Sequence, residues 1–218
     1  PLFGPNSIGQ VFIGSGWEPR DTFLFFQAGH SFTHHGHYQA GHFAITKTAP
    51  LAIKSGTYGG FNSKHRLNYY LRTVAANSLL ILRPGEEVRP NRFFQNNVAG
   101  GGQRIVMPTG SSITSVANWK ENLFQGRHFE GGRITAFDNA YPSYVYVGSD
   151  LTPAYNNADH DETGGRGKVS RVERHLVYLQ ELDAVIVQDR VRTTDEAYTT
   201  KWLLHSWNKP QSETEEVL

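Results

Sequence analysis

The sequence predicts an all-β protein, organised as one large antiparallel β-sandwich with one short helix. Short strand-like runs separated by turn residues recur along the chain. The 218 residues include 22 Gly, 13 Phe, 10 Tyr and 4 Trp, a composition typical of β proteins with many turns. Apolar residues at helical spacing stand out in one segment only. Since we find neither an internal repeat nor a domain linker, we expect a single domain over residues 1–218.

Strand-like segments in the first quarter of the chain indicate both buried and half-buried strands. The run Thr22–Gln27 is apolar on both faces, which is typical of a buried strand. In His42–Thr46 apolar and polar residues alternate, so that Phe43 and Ile45 share one face. The run Pro50–Ile53 follows after a short connection, and the two segments therefore predict a hairpin.

Further strands are expected along the rest of the chain. Ser78–Leu82 has the composition of a buried strand and is closed by a Pro-Gly turn at residues 83–86. The long runs Val169–Leu179 and Ala184–Val191 flank a polar connection and predict an antiparallel hairpin, with Thr199–Ser206 as the next strand. Shorter candidates are Arg104–Met107, Arg133–Phe137 and Tyr144–Val147.

The predicted helix covers Ser115–Gln125, where Val116, Trp119 and Leu123 fall on one face and Ser115 is placed to cap the first turn. Two glycine-rich polar stretches, residues 100–102 and 156–167, are predicted loops.

Composition excludes several classes of function. The 21 Lys and Arg residues nearly balance the 20 Asp and Glu residues, so we expect no nucleic-acid partner and no membrane-surface partner. The chain has no Cys, which excludes disulfides and thiolate metal sites. No apolar run approaches the roughly 20 residues of a membrane-spanning helix. Because the sequence starts in a loop-like stretch without Met and ends in a strand-like one, we expect it to be a piece of a longer protein.

Histidines are concentrated in one segment. Five of the ten lie between positions 30 and 42. On a strand, His35 and His37 would face the same way, and could offer two imidazoles to a metal, or one to a metal and one to a substrate. A His-rich exposed loop without such a role is the alternative. The abundant aromatic residues would suit stacking on sugar rings, although most of them are expected to pack in the core.

A series of motifs resembles the heparinase II/III-like polysaccharide lyases. In that family an H-x-H-x-D-x-G-x-F motif precedes p-L-a-x-D-s-G-x-Y and r-T-x-a-H-N motifs. The matching stretches here are Gln27–Gly29, His35–Phe43, Pro50–Tyr58 and Arg72–Asn77, followed by Ser149–Tyr155, Val172–Leu179, Asp189–Val191 and Lys201–His205. The resemblance covers nearly the whole chain in order.

The resemblance implies a supersandwich-like β region that follows an N-terminal (α/α) toroid, of which this chain would hold only the β part. The implied reaction is β-elimination on a uronate polymer, and the first His of H-x-H, His35 here, is implied to be catalytic. Removal of the C5 proton builds negative charge on the sugar carboxylate. A neutral imidazole could take that proton and a protonated one could stabilise the charge, and both roles stay open for His35.

The metal site implied by the resemblance is altered in this chain. The family ligands correspond to His37, Lys54 and Ala76, and the acidic residue of the H-x-H-x-D motif is Gln39. We therefore predict that the family zinc site is lost, that His37 is the only surviving and a doubtful ligand, and that no cofactor is needed. Lys54 could supply part of the missing positive charge. Alternatively, other histidines, namely His34, His42 or His65, could rebuild a site with His37.

The remaining site predictions concern substrate contact. Tyr69, Tyr70 and Arg72 lie where such lyases can place substrate-binding groups. The alternatives are that the two tyrosines are core and surface members of one strand and that Arg72 forms a surface salt bridge. For His205 we expect a structural role in the sheet.

These observations favour the β-sandwich portion of a lyase that acts on glycosaminoglycan or alginate-type glycans. Its expected partners are an acidic polysaccharide and the toroid domain of the same protein, and the chain alone is expected to be inactive. A secreted or periplasmic location follows from the resemblance only. Two alternatives are a non-catalytic carbohydrate-binding or structural sandwich with a decayed metal site, and a cupin-like metal-binding domain.

Overall fold

The computed structural model describes residues 1–30, 36–86, 100–103, 115–124, 131–156 and 167–209. Within these ranges, eleven strands form three antiparallel sheets, joined by a few short helical segments. In the described part of the chain, no helix has both the length and the apolar character needed to cross a membrane.

The first sheet has five antiparallel strands in sequence order. They are β1 (Leu2–Phe3), β2 (Gln10–Gly14), β3 (Phe23–Gln27), β4 (His42–Lys47) and β5 (Ala49–Ala52). The predicted β4–β5 hairpin is confirmed. In β3 the alternate residues Leu24 and Phe26 are fully buried, whereas Phe23 on the opposite face is exposed. The strand thus buries one face, where the sequence suggested two.

The second sheet has four antiparallel strands in the order β10-β9-β8-β7. These are β7 (Arg133–Ala140), β8 (Tyr144–Asp150), β9 (Val169–Leu179) and β10 (Ala184–Thr193). The predicted β9–β10 hairpin is confirmed. In β9 the side chains of Val172, Leu176 and Tyr178 point into the core, because every second residue of a strand faces the same side of the sheet.

A small third sheet pairs β6 (Leu79–Leu82) with β11 (Thr199–Trp202). The helical segments are α1 (Val116–Phe124), α2 (Thr152–Tyr155), a π-helical turn (Arg66–Tyr70) and a 3-10 turn (Thr73–Ala75). Ser115 caps α1 as predicted, because its Oγ accepts a hydrogen bond of 3.1 Å from the Asn118 N–H.

The buried faces of the two large sheets share one hydrophobic core, so the all-β sandwich prediction is confirmed. Members from the first sheet include Val11, Leu24, Phe26 and Phe43, and those from the second include Val147, Leu176 and Tyr178.

Arg174 of β9 is a charged residue at full burial, and it ties the second sheet to the segments around β4 and β6. Its Nε and Nη2 donate to the two carboxylate oxygens of Asp189 on β10, at 2.7 and 2.8 Å. Its Nη1 donates to the backbone oxygens of Gly41 and Asn77, at 2.6 and 2.8 Å. Such a bidentate pair with additional acceptors satisfies the charge without water.

Several details of the prediction need correction. Tyr69 and Tyr70 were expected on a strand if they were structural, but they lie in the π-helical turn. The strand predicted for Thr199–Ser206 ends at Trp202. The first two strands and three of the short helical segments were not predicted. The strand predicted for Arg104–Met107 lies outside the described residues.

Candidate functional site

The end of the His-rich segment is held by backbone hydrogen bonds to the residue after the π-helical turn and to the last residue of β3. The Tyr38 N–H donates to the Leu71 oxygen at 2.8 Å, and the Gly41 N–H donates to the Gln27 oxygen at 2.6 Å. These contacts place His37 beside the π-helical turn, where its ring meets the ring of Tyr70 edge-on with centroids 4.9 Å apart.

Lys54 reaches the same tyrosine from the segment that follows β5. Its backbone position is fixed on both sides, because the Ile53 N–H donates to the His205 oxygen at 3.0 Å and the Ser55 N–H donates to the Ala75 oxygen at 2.8 Å. The Lys54 Nζ lies 5.5 Å from the centre of the Tyr70 ring, within the range of a cation–π contact. Tyr70 thus contacts both His37 and Lys54.

The Lys54 amine is buried without a hydrogen-bond partner among the described residues. Burial disfavours the charged form and lowers the pKa of Lys54 to about 8. A buried ammonium without a hydrogen-bond partner lowers the free energy of unfolding, because the charge has lost its contact with water.

His42, the first residue of β4, is buried close to Lys54. Its Nδ1 accepts a hydrogen bond of 3.0 Å from the Asn77 N–H, so the neutral ring carries its proton on Nε2. Burial, followed by the positive charges of Lys54 and Arg174, lowers the pKa of His42 to about 3. The imidazole is therefore neutral at physiological pH.

His205, just beyond β11, completes this group. Its backbone N–H donates to Asn77 Oδ1 at 2.6 Å. The ring nitrogen Nε2 is buried and has no hydrogen-bond partner among the described residues. Burial lowers the pKa of His205, and the charge of Lys54 lowers it further against an opposing hydrogen bond to the Val74 backbone.

These residues form what we call the Lys54 cluster, defined as His37, His42, Lys54, Tyr70 and His205. The histidines at 37 and 205, like Lys54, interact electrostatically with His42. Four segments that are distant in the sequence contribute to the cluster. It combines one amine, three imidazoles and one aromatic ring.

Asn77 holds the cluster together and was not predicted as a site residue. It is fully buried, and its side-chain amide donates to the Phe43 oxygen at 2.9 Å. The backbone of Asn77 bonds to His42 and Arg174, and its side-chain oxygen accepts from His205, so one residue connects three segments. The sequence offered a signal, since Asn77 ends one of the matching motifs, but the motif gave it no role.

The predicted site residues fall in different environments. His35 lies outside the described residues. The hydroxyl groups of Tyr69 and Ser55 share a hydrogen bond of 2.8 Å. Arg72 is only 6% exposed, and its guanidinium lies 5.0 Å from the centre of the Tyr38 ring. The surface salt bridge considered for Arg72 does not match this burial, because a guanidinium packed on an aromatic ring has little contact with water.

The residues at the implied ligand positions do not fit a zinc ion. The ammonium of Lys54 would repel a cation, and the buried methyl group of Ala76 offers no donor. No group of three or more His, Cys, Asp or Glu side chains placed to bind a metal occurs among the described residues. The Gln39 amide donates to Gln27 Oε1 at 3.0 Å. The loss of the metal stays a prediction.

Comparison with solved structures shows a related architecture. Heparan sulfate lyase HepC from Pedobacter heparinus superposes on 87% of this chain, with a TM-score of 0.50 and 12% sequence identity. The fold is that of a heparinase-like β-sandwich. A structure of heparinase III also matches over 87% of the chain, with a TM-score of 0.47 and 13% identity.

The likeness extends over a limited part of those enzymes. The chain spans about a fifth of their length, 21% for HepC and 22% for heparinase III. No family profile matches the sequence, and no curated protein is similar to it at a significant level. At this identity the comparison establishes the fold, and the activity has to be argued separately.

Proposed function

We propose that this chain is the β-sandwich portion of a polysaccharide lyase that cleaves uronate-containing glycans, of the glycosaminoglycan or alginate type, by β-elimination. The observation that carries the proposal is the agreement of two independent features. The fold matches a region of heparan sulfate lyase HepC, and the motifs of such lyases follow one another in order along the chain.

The proposed reaction requires particular groups around an acidic sugar. β-Elimination needs a base for the C5 proton and positive or hydrogen-bonding groups for the sugar carboxylate. We assign the imidazole of His35 to one of these tasks, on the basis of the sequence motif. His37, two residues further along the chain, belongs to the buried Lys54 cluster, whose amine has no hydrogen-bond partner among the described residues.

Substrate contacts are proposed for Tyr69 and Tyr70. The hydroxyl of Tyr69 is oriented by Ser55, and the ring of Tyr70 is fixed between His37 and Lys54. For Arg72 the burial against Tyr38 favours a supporting role in the same turn. The rest of the catalytic set is proposed to come from an (α/α) toroid of the same protein, which would be secreted or periplasmic because the polymer lies outside the cell.

Activity on defined polymers tests this proposal. The longer protein and the 218-residue chain should be incubated separately with heparan sulfate, chondroitin sulfate and alginate, and the C4–C5 unsaturated uronide followed by its near-ultraviolet absorbance. We expect product from the longer protein on at least one polymer and none from the isolated chain. No product from the longer protein on any uronate polymer would favour the non-catalytic sandwich instead.

We further propose that the protein works without a metal. Neither activity nor the melting temperature should change after treatment with a chelator, and metal analysis should find less than stoichiometric zinc. A stoichiometric zinc ion bound through His37 would contradict this proposal and would favour a site rebuilt from other histidines.

A further inference from the structure

The Lys54 cluster contains two buried polar atoms that have no hydrogen-bond partner among the described residues. The two side chains are close enough to interact electrostatically. The amine of Lys54 is a buried donor, and Nε2 of His205 is a second buried nitrogen, each without a hydrogen bond to the described residues. The charge of Lys54 is close enough to His205 to lower its pKa. Because buried polar atoms are nearly always satisfied, a group that bonds to either atom would be stabilised at this position.

The surroundings of Lys54 determine what kind of group would be stabilised there. Among the described residues, those that act on Lys54 or feel its charge are His42, His205 and Tyr70, contributed by three different segments. None of them is a carboxylate. His42 has its Nε2 proton available, because its Nδ1 already accepts from Asn77. The cluster therefore offers hydrogen-bond donors and a reactive amine, but no acidic partner.

We propose that Lys54 is a site of reversible carbamylation by carbon dioxide. The neutral amine attacks the carbon of CO2, a bond forms between Nζ and that carbon, and one C=O bond becomes a C–O⁻ group. One proton leaves Nζ, and Nε2 of His205 is a buried base that can accept it. The product is a Lys54 carbamate with one negative charge, and no oxidant or reductant takes part.

Three properties favour carbon dioxide over other reactants. The reaction requires an uncharged amine, and burial lowers the pKa of Lys54 to about 8, so more of this amine is uncharged near neutral pH than of an ordinary lysine. The Nζ atom is shielded from solvent, which a small neutral molecule can overcome more easily than a hydrated anion. The carbamate oxygens would accept hydrogen bonds from nitrogen donors of the cluster, among them the protonated Nε2 of His205, which has no hydrogen-bond partner among the described residues of the unmodified chain.

The modification would invert the charge at residue 54. A carbamate places a carboxylate-like group where the unmodified chain has an amine, and it would pair with an imidazolium at His205. This inference concerns Lys54 alone and does not depend on lyase activity, so the two proposals can fail separately.

Carbon-13 NMR of the protein in ¹³C-bicarbonate buffer at pH 8 tests the proposal. We expect one carbamate resonance per chain in the wild type. The Lys54→Met variant should lose this resonance, while Lys64→Met, which removes an exposed lysine, should keep it. Absence of the resonance from the folded wild type, or its persistence in Lys54→Met, would overturn the proposal.

A chemical measurement on the wild type covers the case in which Lys54→Met fails to fold. Carbamates can be trapped by alkylation with a trialkyloxonium salt and located by peptide mass spectrometry. The trapped group should be found on the peptide that contains Lys54 and not on those containing the exposed Lys64 or Lys201. Trapping distributed over all lysines, or none at Lys54, would refute the assignment.

Discussion

At the scale of single residues, the unpaired amine of Lys54 has a measurable thermodynamic cost. Its pKa is about 8 in the folded chain, below the ordinary value of 10.5. Between these two values the unfolded chain binds a proton that the folded chain does not, so the free energy of unfolding rises with pH. Below pH 8 the cost is fully present. A difference of this size corresponds to about 3 kcal/mol.

Replacement of Lys54 by Met should therefore stabilise the protein. In urea unfolding at pH 7 under CO2-free conditions, we expect Lys54→Met to raise the free energy of unfolding by about 2–3 kcal/mol, since an apolar side chain replaces a buried charge. The rise in stability between pH 8 and 10.5 should become smaller in the variant. The control Lys64→Met should leave both quantities unchanged. A destabilised Lys54→Met would show that the amine has a stabilising partner.

The low pKa of His42 predicts that the folded protein loses stability in acid. Its pKa is lowered to about 3 by burial and by neighbouring positive charge, whereas the unfolded value is 6.5. Between these values only the unfolded chain gains the proton, so stability falls as pH falls from 6.5 to 3. His42→Asn retains an acceptor for the Asn77 N–H but cannot titrate, and its stability should depend less steeply on pH in that range. An unchanged slope in denaturant titrations at several pH values would contradict this explanation.

At the scale of elements, the β9–β10 hairpin carries the buried pair of Arg174 and Asp189. Asp189→Asn would leave Arg174 charged at full burial, and we expect a loss of about 3–5 kcal/mol in the free energy of unfolding. Glu173→Gln on the same strand breaks a more exposed pair with Arg171 and should destabilise the protein much less, because water screens that pair. Equal effects of the two substitutions in chemical unfolding would contradict a structural role for the buried pair.

The same scale shows what the sequence could predict. Long hairpins such as Val169–Leu179 with Ala184–Thr193 are specified by local alternation, and they were predicted closely. The turn around Tyr69 and Tyr70 was not, because a π-helical turn depends on tertiary contacts and its aromatic residues have high strand propensity. The Lys54 cluster was also missed as a unit. Its members come from four distant segments, and no local pattern records that Asn77 connects them.

At the scale of the whole molecule, the sandwich brings His37 close to the π-helical turn and to the residues after β11. This arrangement places a nitrogen-rich cluster two residues beyond His35. The groups that contact the sugar carboxylate of a uronate polymer are proposed to be His35 and residues of another domain. We therefore predict that the sandwich alone folds but does not catalyse the reaction.

The most direct measurement of the central claim is the rate of the longer protein with His35→Ala, followed by the absorbance of the unsaturated uronide. We predict that kcat falls by orders of magnitude while the circular dichroism spectrum and melting temperature stay the same, because an imidazole in contact with the substrate is lost. A wild-type kcat in this variant would contradict the account and remove His35 from the mechanism.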